Sequence, residues 1–337
     1  MSGSRPCSDV VPAAAAHAPG MSTDLLTDAP RAPTPSGPAV LRVQGLVKRY
    51  GDTEVVRDVS FEVRPGELFG LLGTNGAGKT TTVEILQGLR PASGGSIEVL
   101  GLDPSVAGDR LRRRIGSQLQ DAALPARMRA GEALRLFASL HPDPRPLDEL
   151  AAEWNLSALL GRPFAALSGG ERQRLFVALA LVGRPEIVFL DELTQNLDPS
   201  ARRQTWEVVR RIRDRGTTVV LVTHDVEEAE RLCDRVVVMH RGRVVADGTP
   251  AAIVEALGGV ATVRFTDADL DVRPLRSLPG VATVQRHGAE VAIRGTGPVL
   301  AHVGAHLVAA GRPALDLRID RPTLEDRFVA LTQEDPS

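Results

Sequence analysis

One stretch of the sequence, GTNGAGKT at residues 73–80, constrains the fold more than any other. It follows the apolar segment ELFGLL (67–72) and opens onto a predicted helix from Lys79 to Gln87. Such a glycine-rich loop lets backbone N–H groups converge on phosphate oxygens, and the helix points its positive end at the same anion. We therefore predict that this loop binds a nucleoside triphosphate together with Mg²⁺.

The pattern G-x-x-x-x-G-K-[ST] predicts a role for each part of the loop. The ammonium of Lys79 is expected to contact the β- and γ-phosphates, and the hydroxyl of Thr80 is expected to coordinate Mg²⁺. The other predicted nucleotide-binding residues of the loop are Gly73, Thr74, Asn75, Gly76, Ala77, Gly78 and Thr81. The alternative is a glycine-rich turn with an incidental lysine, and the flanking strand and helix disfavour it.

A second apolar strand, IVFLDE at 187–192, ends in two acidic residues. Carboxylates at the carboxyl edge of a parallel sheet are typical of ligand sites. We expect Asp191 to hold Mg²⁺ and Glu192 to polarise the attacking water. A solvated strand end is the alternative, and the phosphate loop elsewhere in the chain makes it the weaker interpretation.

The segment LSGGERQR (167–174) contains a second candidate anion site. Ser168 is a good helix N-cap, and Gly169 and Gly170 leave backbone amides open to an anion. An ordinary capped helix is the alternative for this segment taken alone.

Strands alternate with helices over much of the chain, which predicts an α/β fold with a parallel sheet covered on both faces. After about Gly258, short alternating strands surround one helix, and a last helix starts at Thr323; this is typical of a small α+β domain. The N-terminal residues are rich in Pro, Ala, Ser and Gly and are predicted to be disordered. The predicted organisation is a tail at 1–39, a main domain at 40–257, the α+β domain at 258–332 and a tail at 333–337.

Composition excludes several classes of function. The net charge of −2 and the aromatic content of 3% do not favour a nucleic-acid partner. Two cysteines without a CxxC pair predict neither a disulfide framework nor a cysteine metal site. Apolar runs stay well below the 18 or so residues of a membrane span, and no signal peptide is expected.

Taken in order, these motifs resemble the nucleotide-binding subunit of an ATP-binding cassette (ABC) transporter over about 41–257. The matching segments are the phosphate loop, Gln120 after RIGSQL, LSGGE, the hydrophobic-DE strand, LDP (197–199) and VTHD (222–225). The resemblance implies a P-loop NTPase cassette with a parallel sheet core, an antiparallel β subdomain and a helical subdomain. The small α+β domain would follow that cassette.

The resemblance also implies roles for single residues. Tyr50, in KRYG, matches the aromatic that stacks on adenine; a half-buried strand aromatic is the alternative. Gln120 matches the glutamine that contacts Mg²⁺ or water and senses the membrane partner, although Gln118 lies two residues earlier and is also possible. His224 matches the histidine that holds the γ-phosphate and positions Glu192, with a satisfied core histidine as the alternative.

Members of this family dimerise head to tail. The resemblance therefore implies a homodimer in which Ser168, Gly169 and Gly170 complete the ATP site of the partner chain. Asp198 matches the loop that crosses the dimer interface.

The segment DELTQNLD (191–198) departs from the family pattern D-E-P-T-x-G-L-D. Leu193 replaces the proline and removes a fixed φ, and Asn196 replaces the glycine. Both acids are retained, so we still expect ATP hydrolysis, at a reduced rate.

The resemblance implies an ATPase that lies at the cytoplasmic face of the membrane and docks on a separate integral-membrane permease. The C-terminal segment RPTLEDRFVALT (321–332) is similar to that of drug and antibiotic exporter ATPases of the daunorubicin-resistance type. Export of a small molecule is thus the expected function. An importer ATPase and a soluble ABC protein acting on the ribosome or DNA are the alternatives.

Overall fold

The computed structural model describes residues 37–118, 123–195, 197–256, 260–320 and 323–333. The predicted disordered tail falls almost wholly outside these residues, and so do Gln120 and Asn196. Within the described ranges, no helix is both long enough and apolar enough to span a membrane.

The strands of the main domain are β1 (Leu41–Tyr50), β2 (Thr53–Val63), β3 (Leu68–Gly73), β4 (Gly94–Val99), β5 (Ile115–Gln118), β6 (Ile187–Asp191), β7 (Thr218–Thr223), β8 (Arg235–His240) and β9 (Arg243–Gly248). The C-terminal strands are β10 (Ala261–Thr266), β11 (Val281–His287), β12 (Glu290–Gly295) and β13 (Arg318–Asp320).

The α-helices are α1 (Lys79–Leu86), α2 (Pro104–Arg112), α3 (Ala130–Ala138), α4 (Leu147–Glu153), α5 (Gly169–Leu181), α6 (Pro199–Asp214), α7 (Val226–Leu232), α8 (Pro250–Glu255), α9 (Val299–Ala309) and α10 (Leu324–Gln333). The α/β fold class is confirmed.

The central sheet has the strand order β5-β6-β7-β3-β8-β9 and is parallel except for β9, which pairs antiparallel to β8. Strand β3 shows why its sequence is apolar without interruption. Leu68 and Leu72 belong to the core on one face of the sheet, and Phe69 and Leu71 belong to the core on the other. Side chains alternate along a strand, so a sheet covered on both faces needs an apolar residue at every position.

Each core is closed by different elements. On the face of Phe69, the antiparallel sheet β2-β1-β4 packs with residues of α1 and α2. On the face of Leu68, the core is formed with α3, α5, α6, α7 and α8. Gly70 of β3 allows the close approach of α7, because a Cβ there would lie 2.6 Å from the sulfur of Cys233.

The C-terminal strands form a separate antiparallel sheet in the order β11-β12-β10-β13. One face of this sheet, including Val263 and Ile293, packs on Val303 and Leu307 of α9. Helix α10 then returns to the main domain, where Leu324 and Leu331 are buried in the core that contains α7 and α8. A capping box starts this helix: Asp326 accepts hydrogen bonds from the backbone N–H and the hydroxyl of Thr323.

The alternating segment LDLRI at residues 315–319 predicts a strand, but the strand of the structure covers only Arg318–Asp320. Its pairing with β10 involves Arg318, Ile319 and Asp320. Leu315 is fully exposed, so burial of its side chain does not extend the strand back to residue 315.

Candidate nucleotide-binding and hydrolysis site

The phosphate loop lies between β3 and α1, as its sequence predicted. The ammonium of Lys79 is buried and donates hydrogen bonds to the carbonyl oxygens of Gly73, at 2.8 Å, and Thr74, at 3.1 Å. Burial lowers the pKa of Lys79, while the charges of Glu192 and Asp191 act to raise it. The cation is therefore held within the loop by these two carbonyl oxygens.

Gly78 has a left-handed backbone conformation, with φ of 95°, and packs against β2. A Cβ at this position would lie 2.8 Å from the carbonyl oxygen of Val55. Only glycine combines this φ with so close an approach. The loop borders a cavity of about 250 Å³ that is lined by Val55, Asn75, Gly76, Gly78, Lys79, Thr80, Thr81 and Glu192.

The remaining loop residues, Gly73, Thr74 and Ala77, do not line this cavity. The backbone N–H of Ala77 donates to the carbonyl oxygen of Thr74, and the Ala77 side chain is buried. Gly73 is packed tightly, because a Cβ there would lie 2.5 Å from the carbonyl oxygen of Met239. These residues therefore set the path of the backbone.

Asp191, at the end of β6, faces the loop across the sheet. Its Oδ2 accepts a hydrogen bond of 3.5 Å from the hydroxyl of Thr80. Its Oδ1 is buried and has no hydrogen-bond partner among the described residues. Burial, and next the charge of Glu192, raise the pKa of Asp191 to about 6, although Lys79 acts to lower it.

The pair of Thr80 and Asp191 suits Mg²⁺. That ion usually takes one or two protein oxygen ligands and completes its shell with phosphate oxygens and water. A buried carboxylate oxygen without a partner is costly unless a cation or a donor reaches it. The described residues show no cluster of three or more His, Cys, Asp or Glu side chains that could hold a metal by themselves. A metal ion bound here would therefore take some of its ligands from the nucleotide.

Glu192 follows Asp191 and turns its side chain toward His224. Its Oε1 lies 3.1 Å from Nδ1 of His224, and the Glu192 side chain is 6% exposed against 43% for His224. The backbone N–H of Glu192 donates to the carbonyl oxygen of Val222 on the neighbouring strand. Glu192 has φ of 48°, a left-handed conformation that is strained for a residue with a side chain. The fold holds this glutamate in one orientation, at the edge of the loop cavity.

His224 occupies the turn between β7 and α7. The hydroxyl of Thr223 accepts a hydrogen bond from the backbone N–H of Asp225, and Asp225 then caps α7 through the backbone N–H of Glu228. These two local bonds fix the backbone on either side of His224. The imidazole is thereby presented to Glu192 and, on its other side, to solvent.

Ser168 is the N-cap of α5, as its sequence predicted. Its hydroxyl accepts from the backbone N–H of Glu171, and the Glu171 carboxylate accepts from the backbone N–H of Ser168 at 2.7 Å. This capping box holds the pKa of Glu171 below its usual value. Gly169 and Gly170 form the first turn of the helix. None of Ser168, Gly169 and Gly170 lines the loop cavity, so the fold does not bring the two candidate anion sites together within one chain.

Tyr50 and Asp198 also lie outside the lining of that cavity. Tyr50 ends β1 with 42% of its surface exposed, and the Lys48 ammonium lies 5.0 Å from its ring centroid. Asp198 caps α6 by accepting from the backbone N–H groups of Ser200 and Ala201, which lowers its pKa. Leu193, which replaces the proline of the family pattern, is buried in the core. Its side chain therefore holds this segment in place through packing.

The glutamine predicted at 120 lies outside the described residues. Gln118, the alternative, ends β5 and is buried. It pairs with Leu190, the residue before Asp191. The structure therefore places Gln118 at the carboxyl edge of the sheet, beside the magnesium-binding candidates.

Sequence reasoning missed several residues around the site. Val55 lines the loop cavity, and Thr194, Arg202 and Glu228 are among those that line a second cavity of about 310 Å³ that Glu192 also borders. Thr194 lies within the segment DELTQNLD, and the other three residues carry no motif of their own. Glu228 alone could have drawn attention, because it lies in a predicted helix and follows His224 by four residues.

Comparisons with known proteins agree with this geometry. The family described as ABC transporter matches residues 56–195. The chain is 35% identical over 310 residues to a Nod factor export ATP-binding protein I of Ralstonia nicotianae, covering 88% of this chain and 97% of that protein. It is 36% identical over 304 residues to the daunorubicin resistance ATP-binding protein DrrA3 of Streptomyces coeruleorubidus, covering 88% of this chain and 96% of that protein.

Solved structures show the same fold. The ATP binding subunit of an ABC transporter superposes with a TM-score of 0.60 at 32% identity, covering 65% of this chain and 93% of that one. A dimeric bacterial ABC transporter cassette, MJ0796, superposes with a TM-score of 0.56 at 22% identity, covering 62% of this chain and 98% of that one. The resemblance to exporter ATPases of the daunorubicin-resistance type is confirmed, and the chain belongs to the ATP-binding proteins of the ABC transporter family, which are ATPases.

Proposed function

We propose that this chain binds and hydrolyses MgATP to energise the export of a small molecule through a separate membrane permease. The observation that carries hydrolysis is the contact of 3.1 Å between Glu192 and His224 at the edge of the phosphate-loop cavity. Export is supported by the relatives, which are named as a Nod factor export protein and a daunorubicin resistance protein.

In this proposal each side chain of the site has one task. Lys79 and the backbone N–H groups of the loop hold the β- and γ-phosphates, and Tyr50 stacks on the adenine. Oδ1 of Asp191 and the hydroxyl of Thr80 hold Mg²⁺, with Gln120 or Gln118 beside it. When bound there, the ion would neutralise charge on the phosphate oxygens.

Glu192 accepts the proton of the attacking water, which lies between its carboxylate and the γ-phosphate. His224 orients that carboxylate through Nδ1, and its second ring nitrogen is left to contact the γ-phosphate. The strained backbone of Glu192 supports this assignment, because such strain is concentrated at sites where function requires it.

The active form in this proposal is a head-to-tail homodimer. Ser168, Gly169 and Gly170 of one protomer contact the ATP held by the loop of its partner, and Asp198 lies at the interface. The separation of the two anion sites within one chain supports this arrangement. The dimer docks on the permease at the cytoplasmic face of the membrane, with the cassette formed by 40–257 and the accessory domain by 258–332.

Glu192→Gln tests the assignment of the base. Gln keeps the shape of the side chain but cannot accept the proton, so turnover is expected to fall at least about 100-fold while ATP binding is retained. The variant is also expected to elute as an ATP-bound dimer on size exclusion. Glu186→Gln, at the opposite end of β6 and paired with Arg114, is the matched control and is expected to keep wild-type turnover. Unchanged turnover in Glu192→Gln would disprove the role of this residue.

Co-purification tests the export role. The chain is expected to be recovered from membranes with a polytopic permease and to show faster ATP turnover in that complex. Recovery with a substrate-binding protein as well would favour an importer. Recovery with ribosomal proteins alone would contradict transport.

A further inference from the structure

The structure contains a buried acid for which the hydrolytic mechanism has no role. Among the described residues, the buried carboxylic side chains are those of Glu67, Asp191 and Glu228. Glu67 accepts a backbone hydrogen bond from Arg64, and Asp191 belongs to the loop site. Glu228, on α7, is only 1% exposed and forms no salt bridge with any described residue. Its burial therefore requires another explanation.

The contacts of Glu228 are all to neutral groups. Its Oε1 accepts a hydrogen bond of 3.3 Å from the indole Nε1 of Trp206 on α6. The side chains of Thr223 and Thr194 line the same cavity as the carboxyl group. Its Oε2 is buried without a hydrogen-bond partner among the described residues. An ionised carboxylate in such a place would be left without compensation, and this environment therefore favours the neutral form of Glu228.

The electrostatic surroundings agree with a neutral acid. Burial raises the pKa of Glu228 first, and the charge of Asp225 raises it further, against smaller opposing effects of Thr223, Thr194 and Trp206. On the side of β8, burial raises the pKa of the Cys233 thiol.

The other charged groups around Glu228 are those that line the same cavity. Arg202 of α6 lies there, 3.2 Å from Asp225 and 4.0 Å from Glu227, so its charge is already matched. His224 and Glu192 line the cavity as well. Helix α10 contributes the apolar residues Leu324 and Leu331 to the core that α7 shares.

This cavity connects Glu228 to the hydrolytic pair. It has a volume of about 310 Å³ and is lined by Glu192, His224, Thr194, Thr223, Arg202 and Glu228 among others. Glu192 borders both this cavity and that of the phosphate loop. Thr223 directly precedes His224, and Thr194 follows Glu192 by two residues, so the cavity places Glu228 next to both backbone segments that carry the pair.

We propose that Glu228 is a positioning residue for ATP hydrolysis, and that its neutral carboxyl group holds the backbone segments of Glu192 and His224 in register. The threonines beside the pair, Thr194 and Thr223, line the same cavity as this carboxyl group. The hydrogen bond from Trp206 fixes one carboxyl oxygen, Oε1, to α6 and so ties α7 to α6. Loss of the proton places a second negative charge behind Glu192 and separates the two segments. The role rests on the ATPase activity of the chain.

Two variants of Glu228 separate the proton from the shape of the side chain. A glutamine side chain reproduces a neutral, hydrogen-bonding group, so Glu228→Gln is expected to keep kcat within about threefold. Glu228→Ala removes the contacts, and misplacement of the base is expected to lower kcat by about 10- to 100-fold with little change in the KM for ATP. Glu227→Gln, on the exposed side of the same helix, is the matched control and is expected to behave as wild type.

The pH profile provides a readout that a merely structural role would not change. The ratio of kcat for wild type to kcat for Glu228→Gln is expected to fall as the pH rises, because only the wild-type carboxyl group can lose a proton. A constant ratio would overturn the role of the proton, whether or not Glu228→Ala folds. Equal loss of activity in Glu228→Gln and Glu228→Ala, or no loss in either, would overturn the positioning role. Absence of turnover in the wild-type chain would instead refute the proposed ATPase function.

Discussion

Replacing Asp191 by Asn should stabilise the metal-free protein and at the same time remove its activity. Asp191 is buried, its Oδ1 has no hydrogen-bond partner among the described residues, and its pKa is raised from 3.8 to about 6. A carboxyl group with a raised pKa binds its proton more tightly in the folded state than in the unfolded state. Folding stability therefore falls as the pH rises between these two values, and the loss is complete above the higher one.

The magnitude follows from the two pKa values. Linkage gives a destabilisation by Asp191 of about 1.6 kcal/mol at pH 5 and about 3 kcal/mol at pH 8. Asn cannot ionise and escapes this penalty, although it also loses the attraction between Asp191 and the Lys79 ammonium. Asp191→Asn is thus expected to exceed wild type by about 1 to 3 kcal/mol at pH 8, with an advantage about 1.4 kcal/mol smaller at pH 5.

Urea denaturation in EDTA at the two pH values measures this difference in the free energy of unfolding. Asp109→Asn, at a side chain that is 78% exposed, is the control and should change stability by less than about 0.5 kcal/mol. Added MgATP should stabilise wild type but not Asp191→Asn, since the variant lacks the anionic ligand. A variant that is less stable than wild type at pH 8, or an advantage that does not grow with pH, would refute the reasoning.

Three further predictions concern the loop, the C-terminal helix and the cap of α5. Gly78→Ala should weaken ATP binding at least tenfold in calorimetric titration, because its Cβ would lie 2.8 Å from the Val55 carbonyl oxygen; an unchanged Kd would contradict this. Leu324→Ala should lower the free energy of unfolding by about 2 to 5 kcal/mol, whereas Val329→Ala on the exposed side of the helix should change it by less than about 0.5 kcal/mol. Ser168→Ala should lower stability by about 1 kcal/mol in urea, and a neutral effect would show that the capping box does not contribute.

Much of the fold could be predicted because local patterns are sufficient for it. Strand β6 begins at Ile187, as its apolar run predicted, and helix α1 begins at Lys79, where the phosphate loop predicted it. A continuous apolar run indicates a strand buried on both faces, and a capping side chain marks the start of a helix. The strand expected at 315–319 was misplaced, because pairing with β10 decides where β13 begins.

The sequence by itself determined the chemistry of this protein: the loop at 73–80, the acids that end β6 and the cap at Ser168 all follow from the order of neighbouring residues. Tertiary structure alone decided which groups meet. It brings Thr80 to Asp191 across 111 residues and His224 to Glu192 across 32 residues, because parallel strands end at one edge of the sheet. It also buries Glu228 behind that pair and docks α10 on the main domain. Burial and long-range packing depend on how the elements assemble, and no local pattern specifies them.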